Sequence, residues 1–98
     1  MSVKVFIKRK FPKDQEKELF NCIRSIRNLV PIQSGYISGE YLRSIEDANE
    51  IVTISTWFSH DDWIAWFNSD QRKEIQARID AIDGVISEHA VYRYIKTR

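Results

Sequence analysis

The sequence predicts an α+β protein with a four-stranded antiparallel sheet and two helical segments in the order βαββαβ. Three observations support this fold class: four segments are rich in β-branched and aromatic residues, two amphipathic segments separate them, and turn or capping residues lie at the junctions. The 98 residues, 43% hydrophobic and 30% charged, suffice for one hydrophobic core. We therefore expect a single domain that spans residues 1–98.

The first strand and the first helix follow from residue spacing. Val3 to Arg9 has the two-residue period of a strand, with three aliphatic residues at alternate positions. Its basic end, Lys8 to Lys10, is interpreted as a solvated strand end. Pro12 can open a helix because its missing N–H needs no partner there, and apolar residues then recur at helical spacing. An amphipathic helix is predicted from about Lys13 to Leu29.

Three further strands are predicted from composition and turn signals. Gly35 to Arg43 is rich in Tyr, Ile and Leu, and Glu50 to Phe58 is rich in β-branched residues. Ser44 to Asn49, between them, contains residue types that form turns by bonding their own backbone, which predicts a hairpin. The fourth strand is predicted from Val85 to Ile95, after Gly84 ends the preceding helix.

The second helical segment carries two capping signals. Ser59 with Asp62 three residues later predicts the start of the helix. Asn68 with Gln71 repeats this arrangement one helical segment later. We therefore expect a helix in two parts, with its break at residues 68–70.

Two helical segments can cover only one face of the sheet in this arrangement of two βαβ halves, which is ferredoxin-like. The third strand nevertheless has Ile51 and Trp57 on one side and Ile54 and Phe58 on the other, and the fourth strand is also apolar on both sides. A second copy of the chain is the simplest cover for the remaining face. We therefore expect a homodimer.

Composition argues against several classes of function. The net charge of +1 gives no long-range attraction to nucleic acid or to an anionic membrane surface. No apolar stretch approaches the ~18 residues of a membrane span, and the single Cys22 cannot form an internal disulfide. These features predict a cytoplasmic protein. His60 to Asp62 is the only dense group of metal-ligand residue types and no cofactor motif is present, so neither a metal nor a cofactor is expected.

Two runs of sequence carry a resemblance to a known family: GYISGEYLRSIEDANEIVTISTW, residues 35–57, and SHDDWIAWFNSDQRKEI, residues 59–75. The chain resembles the antibiotic biosynthesis monooxygenase superfamily, dimeric α/β-barrel proteins that include cofactor-free quinone-forming monooxygenases and haem-degrading enzymes. The resemblance implies a sheet that pairs with that of a twin subunit to close a barrel. It also implies a ligand pocket between sheet and helices, lined by Trp66.

The haem-degrading members of this superfamily use an iron-ligating His in the second half of the second helix and an Asn on the first strand. The aligned helix position, ten residues after Trp66, is Gln76, whose amide is a poor iron ligand. Val3 to Arg9 contains no Asn. Haem degradation is therefore disfavoured relative to cofactor-free oxygenation.

The leading hypothesis is a cofactor-independent monooxygenase that acts on a small aromatic or quinol-like substrate. This chemistry requires a dry aromatic pocket and donors for the oxyanion that develops as O₂ accepts an electron. The predicted substrate-binding residues are Trp66, Trp63, Phe67, Tyr36 and Phe6, with Tyr41 and Tyr92 as further aromatic candidates. Core filling is the alternative interpretation of the Trp residues.

Candidate catalytic residues are few. His89 and His60 are the side chains that titrate near neutral pH, and Asn68 could donate to an oxyanion. Each also has a structural explanation, as a strand histidine, a solvated helix start and a helix cap. A non-catalytic dimeric protein that binds a small aromatic ligand is therefore the main alternative. RNA binding through Phe6 and Phe58 is disfavoured by the near-zero net charge.

Overall fold

The computed structural model describes residues 1–97, which form four strands and three helices. Their bounds are β1 (Val3–Lys10), α1 (Glu16–Leu29), β2 (Tyr36–Arg43), β3 (Glu50–Trp57), α2 (His60–Phe67), α3 (Asp70–Asp80) and β4 (Ile86–Arg93). Short 3₁₀ turns, Lys13–Gln15 and Val30–Ile32, flank α1. Arg98, the last residue of the predicted single domain, lies outside the described residues.

The four strands form one antiparallel sheet in the order β2-β3-β1-β4. β1 is central and pairs with β3 on one side and β4 on the other. The predicted α+β class, the βαββαβ order and the antiparallel sheet are confirmed. β4 ends at Arg93 rather than at the predicted Ile95, because its partner strand begins at Val3, which pairs with Arg93.

The helices cover one face of the sheet, which we call the covered face, and leave the opposite, open face. Val3 and Val5 of β1 point to the covered face and are buried there, as the alternation of a strand requires. The register places Phe6 opposite Ile54 on the open face. Apolar side chains of other strands share this open face: Leu42, Val52, Ile86, Ala90 and Tyr92. The prediction that both faces carry apolar residues is therefore confirmed.

Two groups of buried side chains form the core. One lies between α1, α3 and the sheet and includes Leu19 and Ile79. The other lies between α2 and the sheet and includes Trp57, Trp63 and Trp66. Burial of one aromatic side chain removes roughly 150–250 Å² from water, so the three indoles dominate the hydrophobic stabilisation of this group. They fix α2 against the sheet.

The second helical segment is divided as predicted, but its second cap is one residue later than expected. Asn68 ends α2, because its backbone N–H donates to the carbonyl of Ile64. Ser69 is extended, with φ −66° and ψ 147°, and its side chain accepts from the N–H of Arg72 at 3.2 Å. The predicted pairing of Asn68 with Gln71 as a cap is therefore wrong. The predicted cap at Ser59 is confirmed, because its hydroxyl accepts from the α2 backbone.

Candidate functional site

An aromatic row runs between α2 and the covered face of the sheet. The ring centroids of Tyr36 and Trp57 are 5.4 Å apart, and those of Trp57 and Trp63 are 5.8 Å apart. The row continues from Trp63 to Phe67 at 5.6 Å, and from Phe67 to His89 at 5.0 Å. These distances and the edge-on or tilted planes are those of favourable aromatic pairs. The row brings together three predicted substrate-binding residues and one predicted catalytic residue.

Trp66 packs in the core beside this row. Its side chain is 4% exposed and belongs to the same buried group as Val30 and Trp57. In this conformation Trp66 stabilises the contact between α2 and the sheet. Its contact with a ligand stays a prediction.

Phe6 does not join the other predicted substrate-binding residues. It alternates with Val5 along β1 and therefore points to the open face, where its ring meets that of Tyr92 edge-on at 5.3 Å. The sheet separates it from Trp66. A common pocket for Phe6 and Trp66 within one subunit is therefore wrong.

The three predicted catalytic residues lie apart from one another. His60 is the exposed first residue of α2, and Asn68 is exposed at its end. His89 lies on the covered face of β4, 6.0 Å from the Trp63 ring, yet it is also exposed because β4 is an edge strand. The structure therefore does not gather these residues into one catalytic group.

A cavity of about 220 Å³ opens between α1 and strands β2 and β3, and we call it the α1 cavity. Its walls are apolar and its polar groups are hydroxyls and guanidiniums. The lining residues are Phe20, Ile23, Arg24, Arg27, Tyr41, Leu42, Arg43, Ile51, Val52 and Thr53. Among the aromatic candidates from the sequence, Tyr41 is the one that lines this cavity.

Tyr41 supplies the phenol of the α1 cavity. Burial and the neighbouring Tyr36 raise the pKa of Tyr41, while the positive charges of Arg27 and Arg9 oppose this rise. Burial also raises the pKa of Tyr36. Both phenols therefore keep their protons at neutral pH, and the Tyr41 O–H is available as a hydrogen-bond donor.

A β-bulge and a glycine place the two tyrosines on the same face of β2. The register shifts between Tyr36 and Ser38, so Tyr36, Gly39 and Tyr41 all share the covered face. A Cβ at Gly39 would overlap the Tyr36 hydroxyl. Only glycine leaves room for the Tyr36 side chain to lie along the strand towards Tyr41.

Two arginines are buried between the sheet and α3. Arg9 is 1% exposed, its Nη2 donates to Oε1 of Gln76 at 2.8 Å, and its Nε has no hydrogen-bond partner among residues 1–97. Arg72 is 6% exposed, and its guanidinium lies 4.7 Å from the ring centre of Phe67 and 5.5 Å from that of Trp63. Among residues 1–97, neither guanidinium forms an ion pair with a carboxylate.

The interior next to the α1 cavity is consequently positive. Burial, and then the like charge of Arg72, lower the pKa of Arg9 to about 10, an effect that the negative charge of Asp80 opposes. Burial also lowers the pKa of Arg72, an effect that Asp80 opposes. Both guanidiniums stay charged at neutral pH.

The interpretation of Arg9 as part of a solvated strand end is wrong. Arg9 continues the alternation of Val3, Val5 and Ile7, which places its side chain on the covered face. The sequence therefore contained a signal for this residue: a charged side chain in register with an apolar stripe. Lys8 and Lys10, on the open face, are exposed as expected.

The position that aligns with the haem-ligating His does not fit an iron ligand. Gln76 accepts from Arg9 through its amide oxygen and donates to Asp80 Oδ1 through its amide nitrogen at 2.8 Å. Both polar atoms of the amide are engaged, and an amide binds iron more weakly than an imidazole. The side chain at this position is therefore not suited to bind haem iron.

Two further properties concern metals and membranes. Within residues 1–97, no three His, Cys, Asp or Glu side chains converge as metal ligands would. None of the helices in the described part of the chain is both long and apolar enough to cross a bilayer.

Comparison with known proteins identifies the family and the fold. The sequence model of the antibiotic biosynthesis monooxygenase family matches residues 2–78. Curated protein sequences give no significant match. A variant of SnoaB, a cofactor-independent oxygenase from Streptomyces nogalater, is 18% identical with a TM-score of 0.84, over 98% of this chain and 95% of that chain.

Two other solved structures are equally similar in fold. A protein from Mycobacterium tuberculosis is 14% identical with a TM-score of 0.87, over 98% of this chain and 97% of that chain. A conserved protein from Methanosarcina mazei Go1 is 19% identical with a TM-score of 0.84, over 95% of this chain and 92% of that chain. Because the family match covers most of the chain, including the run at residues 59–75, the protein belongs to the antibiotic biosynthesis monooxygenase family.

Proposed function

We propose that this protein is a cofactor-independent monooxygenase that oxidises a small aromatic or quinol-like substrate in the α1 cavity. Membership of the antibiotic biosynthesis monooxygenase family supports oxygenase chemistry. The observation that carries the proposal is the composition of the cavity, where apolar walls surround the Tyr41 hydroxyl and the nearby charges of Arg27 and Arg9. Such a site suits an aromatic ring whose oxygen becomes negative during the reaction.

In the proposed reaction the substrate itself is the reductant. Loss of a proton from a phenol or an enol leaves an electron-rich ring, which transfers electrons to O₂. For a methylene group between two aromatic rings, the methylene and O₂ give a carbonyl and one water, so that atoms and electrons balance. The protein lowers the activation barrier by stabilising the phenolate. The Tyr41 O–H donates a hydrogen bond to it, and the positive charges of Arg27 and Arg9 attract its negative charge.

The other predicted substrate-binding residues have a supporting role in this proposal. Tyr36 shares the covered face of β2 with Tyr41 and adds to the effect of burial in raising its pKa, and the rest of the aromatic row fills the interior between α2 and the sheet. Trp66 is buried beside the row and lies outside the lining of the α1 cavity. In the described part of the chain, no carboxylate, imidazole or thiol lines the α1 cavity, so in this proposal the substrate proton leaves to water at the cavity mouth.

Oxygen uptake tests this proposal. The wild-type protein is expected to consume O₂ with a member of a panel of anthrones and hydroquinones. An anthrone should give one quinone and one water per O₂, whereas simple oxidation of a hydroquinone would give one quinone and one H₂O₂. Tyr41→Phe removes the donor and is expected to lower the rate by about tenfold or more. Tyr94→Phe, a matched loss of an exposed hydroxyl, is expected to leave it unchanged. An oxygen-uptake rate equal to that measured without protein would refute the proposal.

One observation favours a second candidate function, a non-catalytic protein that binds a small aromatic ligand. The lining of the α1 cavity contains no side chain that commonly acts as a general base. Under this alternative, anthrones or hydroquinones bind stoichiometrically and are recovered unchanged under air. The oxygen-uptake panel therefore separates the two candidates.

We also propose that the protein acts as a homodimer through its open face. Phe6, Ile54 and Leu42 lie on this face without a covering helix.

Cys22 is buried and has no second cysteine with which to pair, which supports a reducing compartment such as the cytoplasm.

A further inference from the structure

We propose that the α1 cavity selects aromatic ligands that carry an anionic group, either a carboxylate or a phenolate, and that Arg27 and Arg9 provide this selectivity. The inference rests on the proposed function, from which it takes the α1 cavity as the substrate site. It specifies in addition that the substrate is negatively charged. It assigns a binding role to two arginines that lie on different elements, α1 and β1.

The charges that line the α1 cavity have one sign. Three of its ten lining residues are arginines, and none is acidic. Arg43 is already paired with Glu16 at 3.1 Å, and Arg24 donates to Asn21 at 2.9 Å. Within residues 1–97, Arg27 has neither an ion pair nor a side-chain hydrogen bond. Its guanidinium is therefore free to bind an anion at the cavity mouth.

Arg9 adds a second positive charge behind the cavity wall. It lies next to Ile51 in the register of β1 and β3, and its charge acts on Tyr41, another lining residue. Buried charges are normally paired, because an unpaired charge in the interior costs free energy. The Nε of Arg9 has no partner, and no carboxylate of residues 1–97 pairs with this guanidinium. An anion in the cavity would supply the missing negative charge.

The size and walls of the cavity limit the ligand. Its volume of about 220 Å³ lies below the ~300–1,000 Å³ of pockets for drug-sized ligands, which indicates one or two aromatic rings. Phe20, Ile23 and Ile51 provide the apolar contact for those rings. The Thr53 and Tyr41 hydroxyls can donate to the same anionic oxygen or to a ring substituent.

The first experiment compares anionic and neutral ligands of matched shape by calorimetric titration under nitrogen at neutral pH. The carboxylate arm pairs 2-naphthoate with methyl 2-naphthoate, and the phenolate arm pairs 2,4-dinitrophenolate with 1,3-dinitrobenzene. At least one anion is expected to bind about tenfold or more tightly than its neutral partner, as for a charge-assisted hydrogen bond. The arm with the larger ratio of anion affinity to neutral-ligand affinity identifies the anionic group. Equal affinities in both arms would refute the inference.

The second experiment assigns the selectivity to residues. Arg27→Gln is expected to weaken binding of the preferred anion about tenfold and to leave its neutral partner unchanged. Arg9→Met, which replaces the guanidinium with a shorter, unbranched apolar side chain, is expected to reduce the ratio of anion affinity to neutral-ligand affinity. Arg78→Gln removes an equal charge from a different groove, between α1 and α3, and is expected to change nothing. Equal losses in Arg78→Gln and Arg27→Gln would show a general charge effect and refute the assignment.

Binding under nitrogen requires no turnover, so the oxygenase proposal and the anion-selectivity proposal can be refuted independently of each other. Selective binding of anions without oxygen uptake would refute the oxygenase and leave the anion site intact. Oxygen uptake with no preference for charged over neutral substrates would retain the oxygenase and refute the inference.

Discussion

Nη2 of Arg9, on the central strand, donates to Oε1 of Gln76, on α3, at 2.8 Å. The amide nitrogen of Gln76 donates in turn to Asp80 Oδ1 at 2.8 Å. This chain of two hydrogen bonds connects a buried cation to an exposed carboxylate. It fixes the orientation of the Gln76 amide and leaves Arg9 without direct neutralisation.

Replacement of Arg9 with methionine tests whether this buried charge costs stability. Arg9→Met is expected to leave the free energy of unfolding unchanged or to raise it by up to about 2 kcal/mol, because an unbranched apolar side chain replaces an unpaired buried charge. Because burial lowers the pKa of Arg9 to about 10, the unfolded chain binds this proton more tightly. The cost is therefore present in full at neutral pH and decreases as the pH rises above about 10.

Urea unfolding at pH 7 measures this effect. Arg9→Ala is the matched control, because it removes the same charge but also leaves a void, and it is expected to lose about 1–3 kcal/mol. A loss of more than about 1 kcal/mol in Arg9→Met would show that the bond to Gln76 stabilises the fold more than burial of the charge destabilises it.

Haem is expected not to bind as an iron-ligated complex. Both polar atoms of the Gln76 amide are engaged with Arg9 and Asp80, and the amide is a weak iron ligand. Titration of haem into the protein should give an absorption spectrum that equals the sum of free haem and protein. A shifted Soret band that saturates at one haem per chain would contradict this expectation.

Most of the fold follows from residue spacing. The alternation in Val3 to Arg9 and the helical repeat that ends at Leu29 each specify an element with its buried face, and tertiary packing agrees with these local preferences. The helix break was predictable because Ser and Asn are helix caps. The choice between Asn68 and Ser69 as the N-cap of α3 was not predictable, because the two residues are adjacent and both residue types cap helices well.

The candidate site was less predictable, because it depends on how elements pack. The α1 cavity exists because α1 sits apart from Tyr41 and Thr53, and no local pattern specifies that separation. The bulge after Tyr36 shifts the alternation of β2 by one residue, which places Tyr41 on the covered face. The burial of Arg9 was predictable, because Arg9 continues the apolar alternation of Val3, Val5 and Ile7 in β1. The solvated interpretation was favoured because basic residues at strand ends are usually solvated.

Gly39 is expected to be required by the Tyr36 hydroxyl in particular. A Cβ at this position would overlap the hydroxyl, whereas it would lie 3.5 Å from the ring carbon that bears it, an ordinary contact. Gly39→Ala should therefore lower the free energy of unfolding in the wild type by about 1 kcal/mol, and by less in a Tyr36→Phe background.

A double-mutant cycle with urea unfolding gives the coupling between these two residues. A coupling free energy of about 0.5 kcal/mol or more is expected. A value near zero would mean that the Tyr36 side chain moves away without cost. In that case the glycine is not what holds Tyr36 near Tyr41.

The open face predicts the state of association. Phe6 lies at the centre of the sheet on this face, opposite Ile54 and Ala90, and none of the helices within residues 1–97 covers it. Burial of such a face against a second copy would give an interface of the ~1,200–2,000 Å² that stable complexes bury. Sedimentation at micromolar concentration is therefore expected to show twice the 11.6 kDa mass of the chain.

Substitution of Phe6 tests which surface forms this dimer. Phe6→Asp places a charge in the middle of the open face, so it is expected to shift the mass to that of a monomer. Ile45→Asp is the matched control, because Ile45 is fully exposed in the loop between β2 and β3, and it is expected to leave the dimer intact. A wild-type monomer at this concentration would contradict the dimer itself. A dimer that persists in Phe6→Asp would place the interface elsewhere, because an unpaired carboxylate at the centre of an apolar interface costs several kcal/mol.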